Sequence, residues 1–379
     1  MGKRMWLKTI YRHISNWLNY YYSFTSVYQH PHKRIIRPGY WVEFSQPEKE
    51  FLNLCAASFG YETDYSRGYR QKEISVISLA DVTFLGNSGA LVKEQKVIKE
   101  SVFDQLRLTK SPAFRSPALM LPNHKSGRFT SLMHLPWAEQ SNYHWFLDCL
   151  PRLYAILQTL VEPTILIIPV NLPVFQQETL SFLLQNNPLL SLQRISKSQK
   201  WHLPTFILPT FLSNHYSGFL PPEVLHFMRE GIWQGYGVKS QPVKNRIYVS
   251  RSKASKRRIL SEEAIIKILK NYNFNIIYAE DLSYREQVQL FYNAEIIVGV
   301  HGAGLTNILF SQQATIIELH PADLVRSHYF MICKALGFKY HYLLGSTGNT
   351  KQDFRIDSQA LNQLLNAVLG KTDSGLANI

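Results

Sequence analysis

Apolar and polar positions alternate with two different periods along the chain, and each period predicts a different kind of element. Between 70 and 135 the period is typical of strands, and 82–85 and 90–92 flank a Gly-containing turn as in a β-hairpin. From 142 the spacing becomes helical, and Pro151 is expected to kink or divide this helix. The following segments alternate between strand and helix patterns. They predict an α/β lobe.

A second alternating series begins at a strand pattern over 246–251. Ser261 and Ser283 stand at positions that predict helix caps, and Ser283 is part of a capping box. The β-branched run 295–300 predicts a buried parallel strand, and 315–319 predicts the next one. Four strand–helix units in series predict a parallel sheet with helices on both faces.

These patterns predict an α/β protein of two lobes with an N-terminal extension. The Gly- and Pro-containing stretch 231–242 is expected to link the lobes. A final helix at about 357–369 is predicted to be separate, with the first lobe as a candidate surface for its packing. The predicted segments are an extension at 1–70, a first lobe at 71–235, a second lobe at 243–345, and a C-terminal helix and tail at 346–379.

Composition narrows the classes of partner and compartment. The 379 residues carry a formal net charge of +14, which favours a polyanionic partner. No nucleic-acid-binding motif accompanies this charge, so nucleic acid is disfavoured. Three widely separated cysteines and the lack of any spanning-length apolar run indicate a cytoplasmic protein. The basic, aromatic helix pattern of the first 40 residues leaves two alternatives open, which are docking on the protein's own core and peripheral contact with the inner face of a membrane.

The stretch 295–310 combines a strand, a Gly-rich turn and the apolar start of a helix. Such a turn lets backbone N–H groups approach an anion. No P-loop lysine follows, and Asn307 stands where a dinucleotide fingerprint needs Gly or Ala, which argues against a nicotinamide-dependent oxidoreductase. Taken alone, the motif leaves an anion site and a tight turn without a ligand equally open.

Three features are expected at the carboxyl ends of the second lobe's strands, where open α/β sheets bind ligands. They are Ser250–Arg251 with the basic residues that follow, the turn His301–Gly304, and Glu318. Arginines and N–H groups would take the phosphates of a nucleotide, and the carboxylate would accept hydrogen bonds from ribose. Taken separately, the basic run also fits a solvated loop and Glu318 an ordinary sheet-edge carboxylate.

In the first lobe, His144 and Asp148 lie four residues apart on one predicted helix face. The pair suits a general base, but spacing alone favours a structural role in which Asp148 pairs with Arg152. No Asp-x-Asp and no paired-histidine metal motif occurs, so no metal site and no cofactor are predicted.

Four motifs in order resemble glycosyltransferase family 61, which includes capsular-polysaccharide-type bacterial members. They are Asn142-Tyr-His-Trp-Phe-Leu-Asp148 with Leu150-Pro-Arg152, Ile247-Tyr-Val-Ser-Arg251 with Arg257-Arg258, Glu280-Asp-Leu-Ser-Tyr-Arg-Glu-Gln-Val288, and Val298-Gly-Val-His-Gly-Ala-Gly-Leu-Thr-Asn307 with Ile317-Glu-Leu319. Ser141 departs from the asparagine that the family often has there, and the first 100 residues match no known pattern.

The resemblance implies a GT-B architecture of two Rossmann-like lobes and an inverting, metal-independent transfer from a nucleotide sugar to a hydroxyl of a glycan acceptor. The resemblance also implies a role in capsular or other surface polysaccharide synthesis. His144 or Asp148 would be the catalytic base, with Asp148 slightly favoured. The residues that it assigns to the donor are Ser250, Arg251, Arg258, His301, Gly302, Ala303, Gly304, Asn307 and Glu318. The alternative is a non-catalytic nucleotide-sugar or glycan-binding partner in a polysaccharide assembly complex.

Overall fold

The computed structural model describes residues 23–59, 65–103, 122–133, 141–184, 187–213, 219–241 and 245–370. The predicted N-terminal amphipathic helix falls on residues 1–22, which lie outside these ranges. The described part of the first 40 residues contains short strands. Among the helices within the described ranges, none combines the length and the apolar character that crossing a bilayer requires.

The elements are numbered along the chain. The N-terminal elements are β1 Phe24–Thr25, β2 Lys33–Arg37, β3 Tyr40–Val42, α1 Gln46–Phe59, β4 Tyr69–Gln71, β5 Ile74–Leu85, β6 Ala90–Lys93, β7 Lys96–Ile98, β8 Asn123–His124 and β9 Arg128–Ser131. The middle elements are α2 Asn142–His144, a π-helix Trp145–Cys149, α3 Arg152–Leu157, β10 Thr164–Pro169, α4 Val174–Leu184, β11 Leu190–Ile195, β12 Lys200–Pro209 and α5 Pro222–Tyr236. The C-terminal elements are β13 Asn245–Val249, α6 Glu262–Asn271, β14 Phe274–Ile277, α7 Tyr284–Tyr292, β15 Ala294–Val300, a 3-10 helix Ala303–Phe310, β16 Thr315–His320, α8 His328–Leu336, β17 Lys339–Leu344 and α9 Ser358–Val368.

The chain forms two compact units. The first comprises Met1–Gly39 and Lys72–Ser217, and the second comprises Tyr40–Gln71 and Gly218–Ile379. These bounds differ from the predicted ones, because the predicted linker 231–242 begins inside α5. Its glycines did not end the helix before Gly237, which adopts the left-handed conformation typical of a helix C-terminus.

The first unit contains one mixed sheet built mainly on β5 and β12, which pair antiparallel along most of their length. The predicted hairpin is confirmed, since Thr83 pairs with Val92 and Leu85 with Ala90. β10 lies parallel between β9 and β11, with its own strand pattern as predicted. Buried side chains of these strands, including Phe84, form the core of the unit.

The second unit contains a five-stranded sheet in the order β14-β13-β15-β16-β17, with every neighbouring pair parallel. The predicted parallel sheet is therefore confirmed. Chain order along this sheet is second, first, third, fourth and fifth, which is a common doubly wound arrangement. Its topological switch point lies between β13 and β15, because the chain moves to opposite sides after these two strands.

α9 belongs to the second unit, so the prediction of a separate helix with the first lobe as its packing surface is wrong. Leu361 and Leu365 of α9 are fully buried in the core cluster that contains Leu269 of α6. The hydroxyl of Tyr272 also lies within hydrogen-bond distance of Asn362 Oδ1 and Asn366 Oδ1, at 2.7 and 2.8 Å. An apolar helix face does not specify its partner, and here the partner is the neighbouring sheet layer.

The segment Tyr40–Gln71, predicted to be part of an extension, packs in the second unit. Phe51 of α1 is buried, with its ring centroid 4.6 Å from that of Tyr342 and 5.4 Å from that of Tyr340. Lys334 Nζ also lies 2.8 Å from Glu48 of α1. This helix therefore covers β16 and β17 on the face opposite to α6 and α9.

The two predicted helix caps have different outcomes. The Ser283 capping box is confirmed in both of its hydrogen bonds with Glu286. Ser261 precedes α6 but its side chain makes no cap hydrogen bond, because its φ of +61° is left-handed. Its hydroxyl instead accepts a hydrogen bond from Arg355 at 3.0 Å.

Candidate functional site

The site in the second unit lies where β13 and β15 end at the switch point. β13 is followed by Ser250 and Arg251, and β15 is followed by His301 and Gly302. The two strands are direct neighbours, with Val249 opposite Gly299. The structure thus brings together the predicted features, because the carboxyl ends of parallel strands share one edge of the sheet, and Glu318 of β16 lies opposite Gly299 of β15.

Arg251 lies directly against the backbone of Gly302. A Cβ added to Gly302 would stand 2.0 Å from Nη1 of Arg251 and 2.6 Å from its Cζ. Gly302 has extended dihedral angles, so this glycine is needed for the close approach and not for its conformational freedom. The carbonyl of Gly302 accepts a hydrogen bond from the hydroxyl of Tyr329 at 2.5 Å, which fixes the turn.

Arg257 joins Arg251 at the same turn. Its Nη1 donates to the carbonyl oxygen of His301 at 3.0 Å, and its backbone has a left-handed φ of +59°. The Nε groups of Arg251 and Arg257 are buried and have no hydrogen-bond partner among the described residues. Burial lowers the pKa of both guanidinium groups, and the positive charge of Arg257 lowers that of Arg251 further. Each guanidinium also donates to a backbone carbonyl, Arg251 to Lys256 and Arg257 to His301. A buried N–H without a partner on each of two neighbouring cations favours an anionic ligand.

Arg258, which the resemblance assigned to the diphosphate, is engaged elsewhere. Its Nη2 and Nε contact Asp353 Oδ2 at 2.7 and 3.1 Å, and the pair raises the pKa of Arg258. The residue of the basic run that reaches the turn is therefore Arg257, one position earlier. Sequence reasoning chose between adjacent arginines without knowing of an aspartate 95 residues away.

Ser250 and Asn307 also have structural partners in place of a ligand. Ser250 is 3% exposed and its hydroxyl donates to Glu262 at 2.9 Å. Asn307 is fully buried, and its amide donates to Gln287 at 2.6 Å while accepting from Tyr284 at 3.1 Å. Their predicted contacts with a donor are not available in this arrangement.

The remaining turn residues open the 3-10 helix. Ala303 is exposed and Gly304 is half-buried, so both are accessible at the turn as the prediction required. Leu305 N donates to Gly302 O at 2.9 Å, which begins the helix.

Glu318 is fully buried beneath His301, so the predicted direct contact with ribose is not available. Its Oε1 lies 2.5 Å from Nδ1 of His301, and its Oε2 accepts from the hydroxyl of Tyr340 at 2.7 Å. His320 Nε2 lies 3.5 Å from Oε2. His301 is the accessible member of this cluster, with a side chain that is 10% exposed.

The ligand atoms of His301, Glu318 and His320 all lie within 4.8 Å of one another, a donor set that suits a metal ion. The closest two are 2.5 Å apart. Two ligands bound to zinc at about 2.1 Å with tetrahedral angles would stand about 3.4 Å apart. The observed contact is therefore a hydrogen bond, and a metal would require the pair to separate.

In the first unit, the divided helix holds the second candidate group. Leu150 N bonds Trp145 O at 2.8 Å across the π-helix, and α3 starts beyond Pro151, which confirms the predicted interruption. His144 Nδ1 lies 2.5 Å from Asp148 Oδ2, which confirms the predicted shared face. π-bulges inside helices are frequent at functional sites.

Asp148 is buried and holds the imidazole of His144 from below. Its Oδ1 accepts from the hydroxyl of Ser213 at 3.0 Å, a partner that sequence reasoning missed because it lies 65 residues away. The side chain of His144 is 22% exposed while that of Asp148 is fully buried. The imidazole is therefore the exposed end of the pair, and Asp148 holds it from the buried side.

The expected structural pairing of Asp148 with Arg152 is not observed. Arg152 is buried and donates through Nη2 and Nε to the carbonyl of Pro209 at 2.8 and 3.1 Å. Its guanidinium also stacks 4.1 Å from the centroid of the Phe211 ring. Burial lowers the pKa of Arg152 to about 10, while the charges of Cys149 and Asp148 oppose that shift. Arg152 thus anchors α3 to the end of β12.

Residues 143–317 match the family model described as Glycosyltransferase 61. The matched segment begins one residue after the start of α2 and ends within β16, so it contains both the His144 pair and the Gly302 turn. The resemblance seen in the four motifs is confirmed. The match covers just under half of the chain, so the chain is similar to glycosyltransferase family 61 over this segment.

Curated relatives match over shorter segments. A β-1,2-xylosyltransferase of Arabidopsis thaliana is 38% identical over 61 residues, which are 16% of this chain and 11% of that protein. An EGF domain-specific O-linked N-acetylglucosamine transferase of Mus musculus is 29% identical over 103 residues, or 26% of this chain and 19% of that protein. The chain therefore spans less than a fifth of the length of either relative.

Proposed function

We propose that the protein is an inverting, metal-independent glycosyltransferase that moves a sugar from a nucleotide-sugar donor to a hydroxyl of a glycan acceptor. The observation that carries this proposal is a pair of buried Nε groups that lack a partner in the part of the chain that the structure describes, those of Arg251 beside Gly302 and of Arg257 beside His301. The family match of residues 143–317 supports glycosyl transfer as the reaction class.

The diphosphate of the donor would occupy the turn. When the bond to the sugar breaks, negative charge develops on the leaving phosphate, and preorganised cations stabilise that charge more than the ground state. Arg257 donates to the carbonyl of His301, and Arg251 packs against Gly302 and donates to the carbonyl of Lys256. Within the described ranges neither arginine forms an ion pair with a carboxylate. The accessible turn residues Ala303 and Gly304 add backbone N–H groups.

His144 is the proposed general base, in place of the slight preference for Asp148. Buried Asp148 would keep the imidazole oriented and stabilise it after it takes the proton of the acceptor hydroxyl. Ser213 holds the second oxygen of Asp148. The arrangement has the logic of a base that is oriented by a third group.

A GT-B architecture is part of the proposal. The second unit, with its parallel sheet, would bind the donor, and the first unit would supply the base and the acceptor surface. The acceptor is proposed to be a growing capsular or other surface polysaccharide at the inner face of the membrane, in the cytoplasm. Because the two relatives are named for different sugars, the assay compares nucleotide sugars that carry different sugars.

Turnover of UDP- and GDP-sugars in the presence of EDTA tests the proposal. We expect activity in the wild type, a loss of at least about a hundredfold in Arg251→Ala and Arg257→Ala, and little change in Arg246→Ala. Arg246 is a matched control because it pairs with Glu295 at the other end of β13. Strict metal dependence would contradict the mechanism. If a donor binds but is not turned over with any acceptor that is tried, the result would favour the alternative of a non-catalytic binding partner.

A further inference from the structure

Three side chains converge on the carboxylate of Glu318. The contacts are 2.5 Å from Nδ1 of His301, 2.7 Å from the hydroxyl of Tyr340 and 3.5 Å from Nε2 of His320. Glu318, His320 and Tyr340 are at most 1% exposed. The carboxylate is too deep to contact a substrate, so any effect that it has on the site must pass through His301.

The charges of this cluster decide where the protons lie. Burial alone would raise the pKa of Glu318, but His320 and His301 outweigh it and hold the pKa below its usual range. Burial lowers the pKa of His301 to about 4 despite the nearby carboxylate, and Arg257 contributes in the same direction. At neutral pH Glu318 is ionised and His301 is neutral. The proton of the imidazole is then on Nδ1, where it donates to Glu318.

We propose that Glu318, held by Tyr340, fixes His301 in the Nδ1–H tautomer, so that Nε2 accepts a hydrogen bond from a hydroxyl of the donor. This inference rests on the proposed function of the same turn. A lone pair at Nε2 repels phosphate oxygens, which also only accept, and attracts a hydroxyl of the ribose or of the transferred sugar. The arginines would bind the diphosphate, and His301 would select its carbohydrate side. Glu318 is a positioning residue.

The cover over the cluster supports the assignment. The Phe51 ring lies 5.4 Å from that of Tyr340 and 6.4 Å from that of His320, between centroids. The rings of His301 and His320 are stacked with centroids 5.5 Å apart. This apolar packing limits the access of water, which would otherwise offer His301 alternative partners and mix its tautomers.

Two measurements test the proposal on the full chain. Histidine ¹⁵N NMR should show a protonated Nδ1 and an unprotonated Nε2 for His301, assigned by the loss of its signals in His301→Phe. Glu318→Gln removes the anionic acceptor that fixes the proton on Nδ1, so the signals should shift toward a mixture of the two tautomers. Tyr340→Phe should shift them less, because the carboxylate is retained.

Calorimetric titration then separates the ligand groups with three probes, namely inorganic pyrophosphate, UDP or GDP, and the corresponding UDP- or GDP-sugars. His301→Phe should leave pyrophosphate affinity unchanged and weaken nucleotide-sugar binding about tenfold, the loss expected for one hydrogen bond. A loss already present with the nucleoside diphosphate identifies a ribose hydroxyl. A loss confined to the nucleotide sugars identifies a sugar hydroxyl.

An Nε2–H signature in the wild type, or unchanged nucleotide-sugar affinity in His301→Phe, would overturn the proposal. If Glu318→Gln does not fold, the wild-type spectrum and Tyr340→Phe still decide it. Absence of binding by the wild type to pyrophosphate and to every nucleotide sugar would instead contradict the proposed function, whatever the tautomer.

Discussion

At the scale of single residues, the site depends on one contact between a side chain and a backbone. Arg251 occupies the space that a Cβ would take at Gly302, and Arg257 holds the carbonyl of the preceding residue. The turn therefore contacts both cations, and a hydrogen bond from Arg251 to the carbonyl of Lys256 adds to the positioning of that side chain. Preorganisation of this kind removes the cost of ordering flexible side chains when the ligand binds.

Replacing Gly302 by alanine tests this dependence. The new Cβ must displace the guanidinium of Arg251, which is the far end of a flexible side chain, so stability should fall by less than about 1 kcal/mol. Pyrophosphate affinity, measured by calorimetry, should fall about tenfold. Adding Gly302→Ala to Arg251→Ala should cause little further loss, because both changes remove the same interaction. An additive loss would contradict the contact.

The low pKa of His301 predicts a pH dependence of stability. The pKa of His301 is 6.5 in the unfolded chain and about 4 in the folded protein. Between these pH values the unfolded chain binds a proton that the folded protein does not bind, so stability should fall as the pH falls from 6.5 to about 4. His341, whose pKa burial also lowers, acts with the same sign. Urea unfolding of His301→Gln should therefore show a slope against pH that is smaller by up to about one proton. An unchanged slope would refute the assignment of a neutral His301.

The residue scale is also where sequence reasoning was least able to choose. It selected Arg258 over Arg257 and gave Glu318 a ligand, because residue type and position along a strand were its only guides. The outcome depends on Asp353 and on Tyr340, and neither is adjacent in sequence to the residue that it contacts.

At the scale of elements, the chain returns its N-terminal segment to a C-terminal sheet. α1 lies before the first unit's long strands in sequence, yet it packs on β16 and β17 of the second unit. Its buried aromatic, Phe51, covers the cluster around Glu318. Segment Tyr40–Gln71 is thus part of the second unit as the structure divides the chain.

Truncating Phe51 should destabilise the second unit. Phe51→Ala removes a ring that is 1% exposed, and losses of about 3–5 kcal/mol are typical for such changes. Hydrogen exchange should accelerate in β16 and β17. Trp41→Ala is the matched control, because Trp41 lies in the same segment but is 51% exposed, and it should cost less than about 1 kcal/mol. Equal effects of the two changes would contradict the packing role of α1.

The divided helix of the first unit predicts a second functional result. Asp148→Asn keeps the size of the side chain but removes the charge that orients and stabilises His144, so turnover should fall about a hundredfold or more with little change in donor affinity. Ser213→Ala should have a smaller effect, since it removes one neutral hydrogen bond to Asp148. Full turnover by Asp148→Asn and by His144→Gln would remove this pair as the base.

At the scale of the whole molecule, local sequence patterns predicted the individual elements but not how distant elements pack together. The hairpin, the Pro151 interruption, the Ser283 capping box and the parallel sheet follow from residues close together in sequence, and all are confirmed. The strand order that creates the switch point, the docking of α9 and the return of α1 depend on which apolar surfaces meet. Periodicity identifies such surfaces but does not pair them.

The most direct test of the central claim measures the binding of nucleotide sugars to the turn that contains Gly302, at the edge of the sheet where β13 and β15 end. Calorimetric titration of UDP- and GDP-sugars with EDTA present should show a donor that binds the wild type and Arg246→Ala alike. The same donor should bind at least about a hundredfold more weakly to the Arg251→Ala, Arg257→Ala double variant, because two charge-assisted contacts are lost. Equal affinity of the double variant and the control would contradict the proposed donor site.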